Sequence, residues 1–177
     1  VTVIELAAPG GVRLFSGVDT RSETKIAGGS FTQAAGAGVE IYIAPPAPGE
    51  YLLRIFTREG DSGKSSMVLE IGVVADESNG VSLPTIYKSF HDDGCFLHEP
   101  VGSPVVAGEE CYFEVTLPGY QEAYLSDGRN RIPMTKGSED DMFFISTPVP
   151  ACKKLTIYAS ASSSGRYTGI IAFRVVS

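Results

Sequence analysis

Tryptophan is absent from this 177-residue chain, histidine occurs only twice and cysteine three times. Two histidines, His91 and His98, leave material for one His-based centre at most. The cysteines, Cys95, Cys111 and Cys152, are odd in number and include no C-x-x-C spacing. Neither a disulfide framework nor structural zinc is therefore indicated, and the chain is expected in a reducing compartment, the cytoplasm. No apolar run approaches the roughly 20 residues that cross a bilayer. The chain opens Val1-Thr2-Val3-Ile4-Glu5, without a basic leader or a starting Met, and reads as a soluble piece of a longer protein. Positive charge is also in short supply: 14 Lys and Arg against 21 Asp and Glu leave a net charge of −7. That sign argues against a phosphate-binding surface, so nucleic acid is not an expected partner. Lys153, Lys154 and Arg166 form a small basic spot, short of the roughly 4 to 8 clustered cations of a membrane-binding patch, so membrane contact is not expected.

What the chain does contain is a repeat of itself. At an offset of 102 residues, Tyr42-Ile43-Ala44-Pro45-Pro46-Ala47-Pro48-Gly49 falls on Phe144-Ile145-Ser146-Thr147-Pro148-Val149-Pro150-Ala151 without a gap. Leu53-Arg54-Ile55-Phe56 falls on Leu155-Thr156-Ile157-Tyr158, and Ser62-Gly63-Lys64 on Ser164-Gly165-Arg166. Leu69-Glu70-Ile71-Gly72-Val73-Val74 meets Ile171-Ala172-Phe173-Arg174-Val175-Val176 in the same register. Each copy reads as Pro-rich turn, strand, short polar loop, strand. Leu53 and Ile55 alternate with Arg54, and Leu69, Ile71 and Val73 with Glu70 and Gly72, the period of two that turns one face into a core. Further strands are expected at Val12 to Phe15, Cys111 to Leu117, and Glu122 to Ser126 leading into Asp127-Gly128. No apolar residues recur at helical spacing with caps. The expected fold is all-β: two tandem antiparallel β-sandwich domains related by the internal repeat. The turn-rich stretch Asp76-Glu77-Ser78-Asn79-Gly80 sets the boundary, giving domains 1–77 and 78–177.

Three groups of residues carry chemistry. His91-Asp92-Asp93-Gly94-Cys95 with His98-Glu99 assembles the residue types of a thiol protease or transglutaminase, or of a mixed imidazole–carboxylate metal site. In cysteine enzymes those residues converge from distant segments, with the Cys at a helix N-terminus. Crowding within nine residues with no expected helix instead favours a solvated loop, with Cys95 and Cys111 as small core hydrophobes. Glu139-Asp140-Asp141 resembles part of a calcium loop and supplies the candidate metal ligands Glu139, Asp140 and Asp141, against the alternative of a charged loop blunting a sheet edge. No catalytic or cofactor-binding residues are assigned, and calcium is the one ligand considered.

The second half, through Cys95-Phe96-Leu97-His98-Glu99-Pro100, Val106-Ala107-Gly108-Glu109, Cys111-Tyr112-Phe113-Glu114-Val115 and Arg131-Ile132-Pro133-Met134-Thr135-Lys136, resembles the β-sandwich modules that follow the transglutaminase-like domain of kyphoscoliosis peptidase and hillarin-type proteins. Ile170-Ile171-Ala172-Phe173-Arg174-Val175 fits the same pattern. The strand Gly49-Glu50-Tyr51-Leu52-Leu53-Arg54-Ile55-Phe56 is similar both to that family and to the C2-like β-sandwich domain of calpains. The resemblance implies a non-catalytic protein-interaction or scaffold module of a larger transglutaminase-like or calpain-like protein, associated with the cytoskeleton and binding a protein partner. Its nucleophile and base would lie outside this chain. The calpain side of the resemblance implies, as the alternative, a calcium- or phospholipid-responsive C2-like regulatory module.

Overall fold

The computed structural model describes residues 2–7, 13–20, 25–26, 28–36, 38–58, 65–76, 81–138, 141–163 and 165–177. The chain divides into two compact units, residues 1–83 and 84–177. The boundary expected at 77/78 touches residues 77–80, which lie outside the described residues.

The first unit contains β1 (Thr2–Ala7), β2 (Arg13–Thr20), β3 (Lys25–Ile26), β4 (Ser30–Ala35), β5 (Gly38–Ile43), β6 (Gly49–Arg58) and β7 (Ser65–Ala75). They form two antiparallel sheets, ordered β1-β5-β4 and β3-β2-β6-β7. Alternation along β5 and β6 sends Val39, Ile41 and Ile43 from one sheet against Tyr51, Leu53 and Ile55 from the other, in one cluster with Val18. Where β5 starts beside β1, a Cβ on residue 38 would lie 2.5 Å from the Leu6 carbonyl oxygen, so the position takes glycine.

The second unit contains β8 (Thr85–Ile86), α1 (Lys88–Asp92), β9 (Phe96–Glu99), β10 (Val105–Val106), β11 (Glu110–Thr116), β12 (Glu122–Ser126), β13 (Arg131–Pro133), β14 (Thr135–Lys136), β15 (Met142–Pro148), β16 (Lys154–Ser160) and β17 (Thr168–Val176). One sheet runs β14-β15-β11-β9 and the other β13-β12-β16-β17-β10, with β8 also paired to β17. The inner faces meet through fully buried side chains such as Phe113 of β11 and Phe173 of β17, whose rings pack edge-on at 5.4 Å. Naming β9, β11, β12, β13, β14, β15, β16 and β17 as A, B, C, C′, D, E, F and G gives sheets ABED and C′CFG, the strand order of an immunoglobulin-like sandwich. The all-β class read from the sequence is the observed one. The exception is α1, a five-residue helix where none was expected, anchored by buried Phe90 and by Ser89 Oγ donating to the Gly169 carbonyl at 2.6 Å.

Strands β1 to β7 correspond one for one, in order and pairing, to β11 to β17. The correspondence is closest in the last hairpin of each unit. Leu53 pairs with Ile71 and Ile55 with Leu69 in the first unit; Leu155 pairs with Phe173 and Ile157 with Ile171 in the second, each 102 residues on. Both ladders then slip at the same place, between Ile55 and Phe56 and between Ile157 and Tyr158, so Val68 and Ile170 are the extra residues of equivalent bulges.

Candidate functional site

The His91–Glu99 segment is dispersed over α1 and β9. Cys95 follows α1 and is 2% exposed, with its N–H on the Phe90 carbonyl at 2.9 Å. Burial, reinforced by the Asp93 charge, pushes its thiol up to about 12, so it is protonated at neutral pH. A helix does precede this cysteine, but Cys95 lies beyond its C-terminal end, where the dipole disfavours a thiolate. Asp93 accepts the Tyr120 hydroxyl at 2.6 Å and Asp92 pairs with Lys88. His91 packs edge-on against Phe90. His98 Nε2 is 2.9 Å from Thr116 Oγ1, and its Nδ1 is 3.9 Å from Glu114 Oε1, both on β11. The contacts of Asp92, Asp93, Cys95 and His98 tie this segment to neighbouring strands and turns.

Of the three expected metal ligands, Glu139 and Asp140 lie outside the described residues. Asp141 holds a left-handed backbone conformation at φ 53° and closes the approach to β15. Its Oδ2 accepts the Gly119 N–H at 3.0 Å and its Oδ1 lies 3.1 Å from Lys136 Nζ. The Gly119 hydrogen bond first, then Lys136, holds the carboxyl below its ordinary value. Among the described residues no group of three or more His, Cys, Asp or Glu side chains is placed to hold a metal ion.

Of the expected basic spot, Lys153 borders a cleft of about 470 Å³ that is also lined by Asp127, Arg129, Asn130, Ala151 and Cys152. Asp127 belongs to the turn between β12 and β13 and accepts the backbone N–H groups of Asn130 at 2.6 Å and Arg129 at 2.7 Å. Those bonds draw its carboxyl down to about 2. All three cysteines are free; Cys111 and Cys152 are partly exposed, and burial raises both thiols.

The feature that stands out lies in the first unit, where β7 ends its sheet with β6 on one side and, among the described strands, nothing on the other. Met67 and Val68 are each 55% exposed, Leu69 40% and Val74 68%. Its repeat partner β17 is covered: Ile170 and Ile171, the counterparts of Val68 and Leu69, are 0% exposed. Ile86 and Thr85 pair antiparallel with Ile171 and Ala172, and Val105 and Val106 pair parallel with Val175 and Val176. The carbonyls of Ile170 and Val176 accept N–H groups from Tyr87 at 3.1 Å and Ala107 at 2.7 Å, and the Arg174 N–H donates to Ser103 Oγ at 3.0 Å. By the shared register, the backbone groups of Val68, Gly72 and Val74 point the same way in β7, and no such partner reaches them among the described residues.

Arg54 fixes that edge from behind. The Gly49–Phe56 strand sends Tyr51, Leu53 and Ile55 inward, with Tyr51 Oη donating to the Ala47 carbonyl at 2.8 Å. Arg54 points outward and joins three strands, Nη1 to Asp19 at 2.9 Å and Nε to Glu70 at 2.7 Å. The single charge on β7 is thus neutralised within its own sheet. A second surface that sequence reading missed lies on β12 and β16, where Tyr124 stacks on Tyr158 at 5.4 Å and meets Tyr167 at 4.8 Å under the Arg131 guanidinium.

No known protein family profile matches the chain, and no curated protein matches it.

Proposed function

We propose that this chain is a non-catalytic protein-interaction module that docks through the open edge of β7, and that it is part of a larger transglutaminase-like or calpain-like protein acting as a cytoskeleton-associated scaffold in the cytoplasm. The observation that carries the reading is the exposed eleven-residue edge strand, with Met67, Val68, Leu69 and Val74 in solvent, where Ile170 and Ile171, the counterparts of Val68 and Leu69, are fully buried. An apolar strand whose outer edge meets no partner strand among the described residues suits β-augmentation, in which main-chain hydrogen bonds give affinity and side chains give selectivity. The dispersed His91–Glu99 segment and the protonated Cys95 thiol support the non-catalytic part of the reading. The Lys136–Asp141 contact weighs against a calcium-responsive module.

The test is affinity capture from an extract of the source cells with the wild-type chain and with Val74→Glu, a substitution at a 68% exposed position that leaves the core intact. A partner held by the wild type and lost with Val74→Glu is the expected result. Identical sets of retained proteins would sink the edge as the docking element.

A further inference from the structure

We infer that the second unit binds a compact phosphate-bearing polyanion at the end of its β13-β12-β16-β17 sheet, seated in the cleft of about 470 Å³ and held by Arg129, Lys153, Lys154 and Arg174. The site lies wholly within the second unit and stands apart from the β7 edge.

Three observations carry it. First, four cations reach one place from separate segments. Arg129 and Lys153 line the cleft, one from the β12–β13 turn and the other from the residue before β16. Lys154 lies directly across from Arg174 of β17; their neighbours Leu155 and Phe173 are fully buried, so both cations point to the opposite, outer face, where both are exposed. The Val175 N–H donates to the Lys153 carbonyl at 3.1 Å, which makes Lys154 and Arg174 a non-hydrogen-bonded pair, the kind with the closer side chains. Second, none of the four has an ion-pair partner among the described residues. The one acid lining the cleft, Asp127, is already engaged by the backbone N–H groups of Arg129 and Asn130 and by Asn130 Nδ2 at 2.9 Å. Two cations directly opposed with no acid between them destabilise a sheet. Third, the fold does not require them. The positions 102 residues earlier, Leu52 and Gly72, pair in the same register of β6 and β7 and carry no charge. A repulsion present in one copy and absent from the other suits a site whose ligand supplies the missing negative charge.

The spacing selects the chemistry. Cross-strand side chains start about 5 Å apart, so Lys154 and Arg174 can close on a single group. A phosphate brings roughly two negative charges and three strong acceptor oxygens to one point. Carboxylates on alternate residues of an extended peptide stand about 7 Å apart with one charge each, a poorer match. With Lys153 and Arg129 facing the adjoining cleft, the site has room and charge for a second phosphate group. The net charge of −7 hides this cluster, because acids such as Asp92, Asp93, Glu99, Glu110 and Glu114 sit on α1, β9 and β11 or just after α1. Arg166, which the sequence groups with Lys153 and Lys154, lies beyond the far end of the seven-residue β16, about 20 Å along the strand. Arg131 is turned over Tyr124 and Tyr167, so neither belongs to the site.

Inorganic triphosphate is the probe, and Cys152, which lines the cleft, is the reporter. On the full chain at physiological salt, saturating triphosphate is expected to slow iodoacetamide labelling of Cys152 at least about fivefold while Cys111 reacts at its usual rate. Calorimetric titration is expected to show one site per chain. Lys154→Gln and Arg129→Gln should each weaken binding at least about tenfold. Arg166→Gln makes the same change of net charge more than a Debye length away and should leave affinity within about twofold. All three positions are exposed, so the variants leave the core intact. No binding at millimolar triphosphate overturns the inference, as does equal protection of Cys111, an equal loss in Arg166→Gln, or hexaglutamate binding as tightly as triphosphate. Phosphatidylcholine vesicles with and without phosphatidylinositol bisphosphate separate the two sources of such a ligand. Co-sedimentation that triphosphate competes away assigns a lipid headgroup, and triphosphate binding without co-sedimentation assigns a soluble phosphate compound.

Discussion

Leu69 and Ile171 occupy the same place in the two copies of the repeat, opposite Ile55 and Ile157, yet Leu69 is 40% exposed and Ile171 not at all. Truncating each to alanine should therefore have unequal costs. At Ile171 the lost transfer energy adds to a cavity lined by β8, β16 and the inner face, and the expected cost is about 3.5 kcal/mol. At Leu69 roughly three fifths of the residue is buried, full burial of a leucine is worth about 2 kcal/mol, and the open edge leaves no sealed cavity, so about 1 kcal/mol is expected. The difference of about 2.5 kcal/mol corresponds to roughly 60-fold in the opening equilibrium. Native-state amide exchange read by mass spectrometry resolves the two units, through the segment Leu53–Phe56 for the first and Leu155–Tyr158 for the second. Working near 1 µM in rising urea keeps any association from adding to the apparent stability of the first unit. Equal costs at the two sites, within about 0.5 kcal/mol, or a larger cost at Leu69, would refute the claim that exposure of β7 separates otherwise equivalent positions.

Iodoacetamide at pH 8 should label Cys111 and Cys152 in the native protein and reach Cys95 only on unfolding; rapid native labelling of Cys95 by peptide mapping would contradict its burial. Because the folded thiol of Cys95 is raised from 9.0 to about 12, its contribution to stability is intact below pH 9 and is lost as pH rises through that window, a slope that Cys95→Ala should remove from alkaline melts. Asp127 has the opposite sign: with its carboxyl lowered from 3.8 to about 2, the turn keeps its support above pH 4 and loses it as pH falls toward 2. An NMR titration midpoint for Asp127 near 3.8 would disprove the backbone capping. Millimolar calcium against EDTA should leave the melting temperature unchanged within about 1 °C, since Asp141 already holds Lys136 and the Gly119 N–H; a clear rise would bring Glu139, Asp140 and Asp141 back as ligands.

The core was legible because its signal is local and doubled. Leu53, Ile55, Leu155 and Ile157 alternate with polar neighbours, and the offset of 102 residues that aligns them carries over to the hydrogen-bond register and even to the bulge. The short helix was missed because five residues are too few for a periodic pattern; Lys88–Asp92 is held by Phe90 and Ser89 contacts that only the tertiary fold supplies. Cys111 shares strand parity with buried Phe113 and Val115, as expected, but sits near the strand end and is only half-buried. Exposure of β7 could not be read at all. Leu69-Glu70-Ile71-Gly72-Val73-Val74 and its counterpart in β17 show the same alternation, and what distinguishes them is whether another segment lies alongside.

That distinction carries the functional argument. In the second unit the stretch from Thr85 to Ala107 supplies β8, β10 and three further backbone or hydroxyl contacts to one edge of β17, and Ile170, Ile171, Ala172 and Phe173 beneath are buried. The first unit repeats the hairpin, the register and the bulge, but among its described residues not the cover. Beyond the bulge at Val68, an edge that had only to remain solvent-exposed would be expected to carry Lys, Pro or an inward charge at positions such as Val68 and Val74. Instead those positions are aliphatic, and the one carboxylate is neutralised from behind by Arg54. An edge kept apolar and long, in a fold whose other copy shows how such an edge is filled, supports the proposal that β7 docks a partner strand.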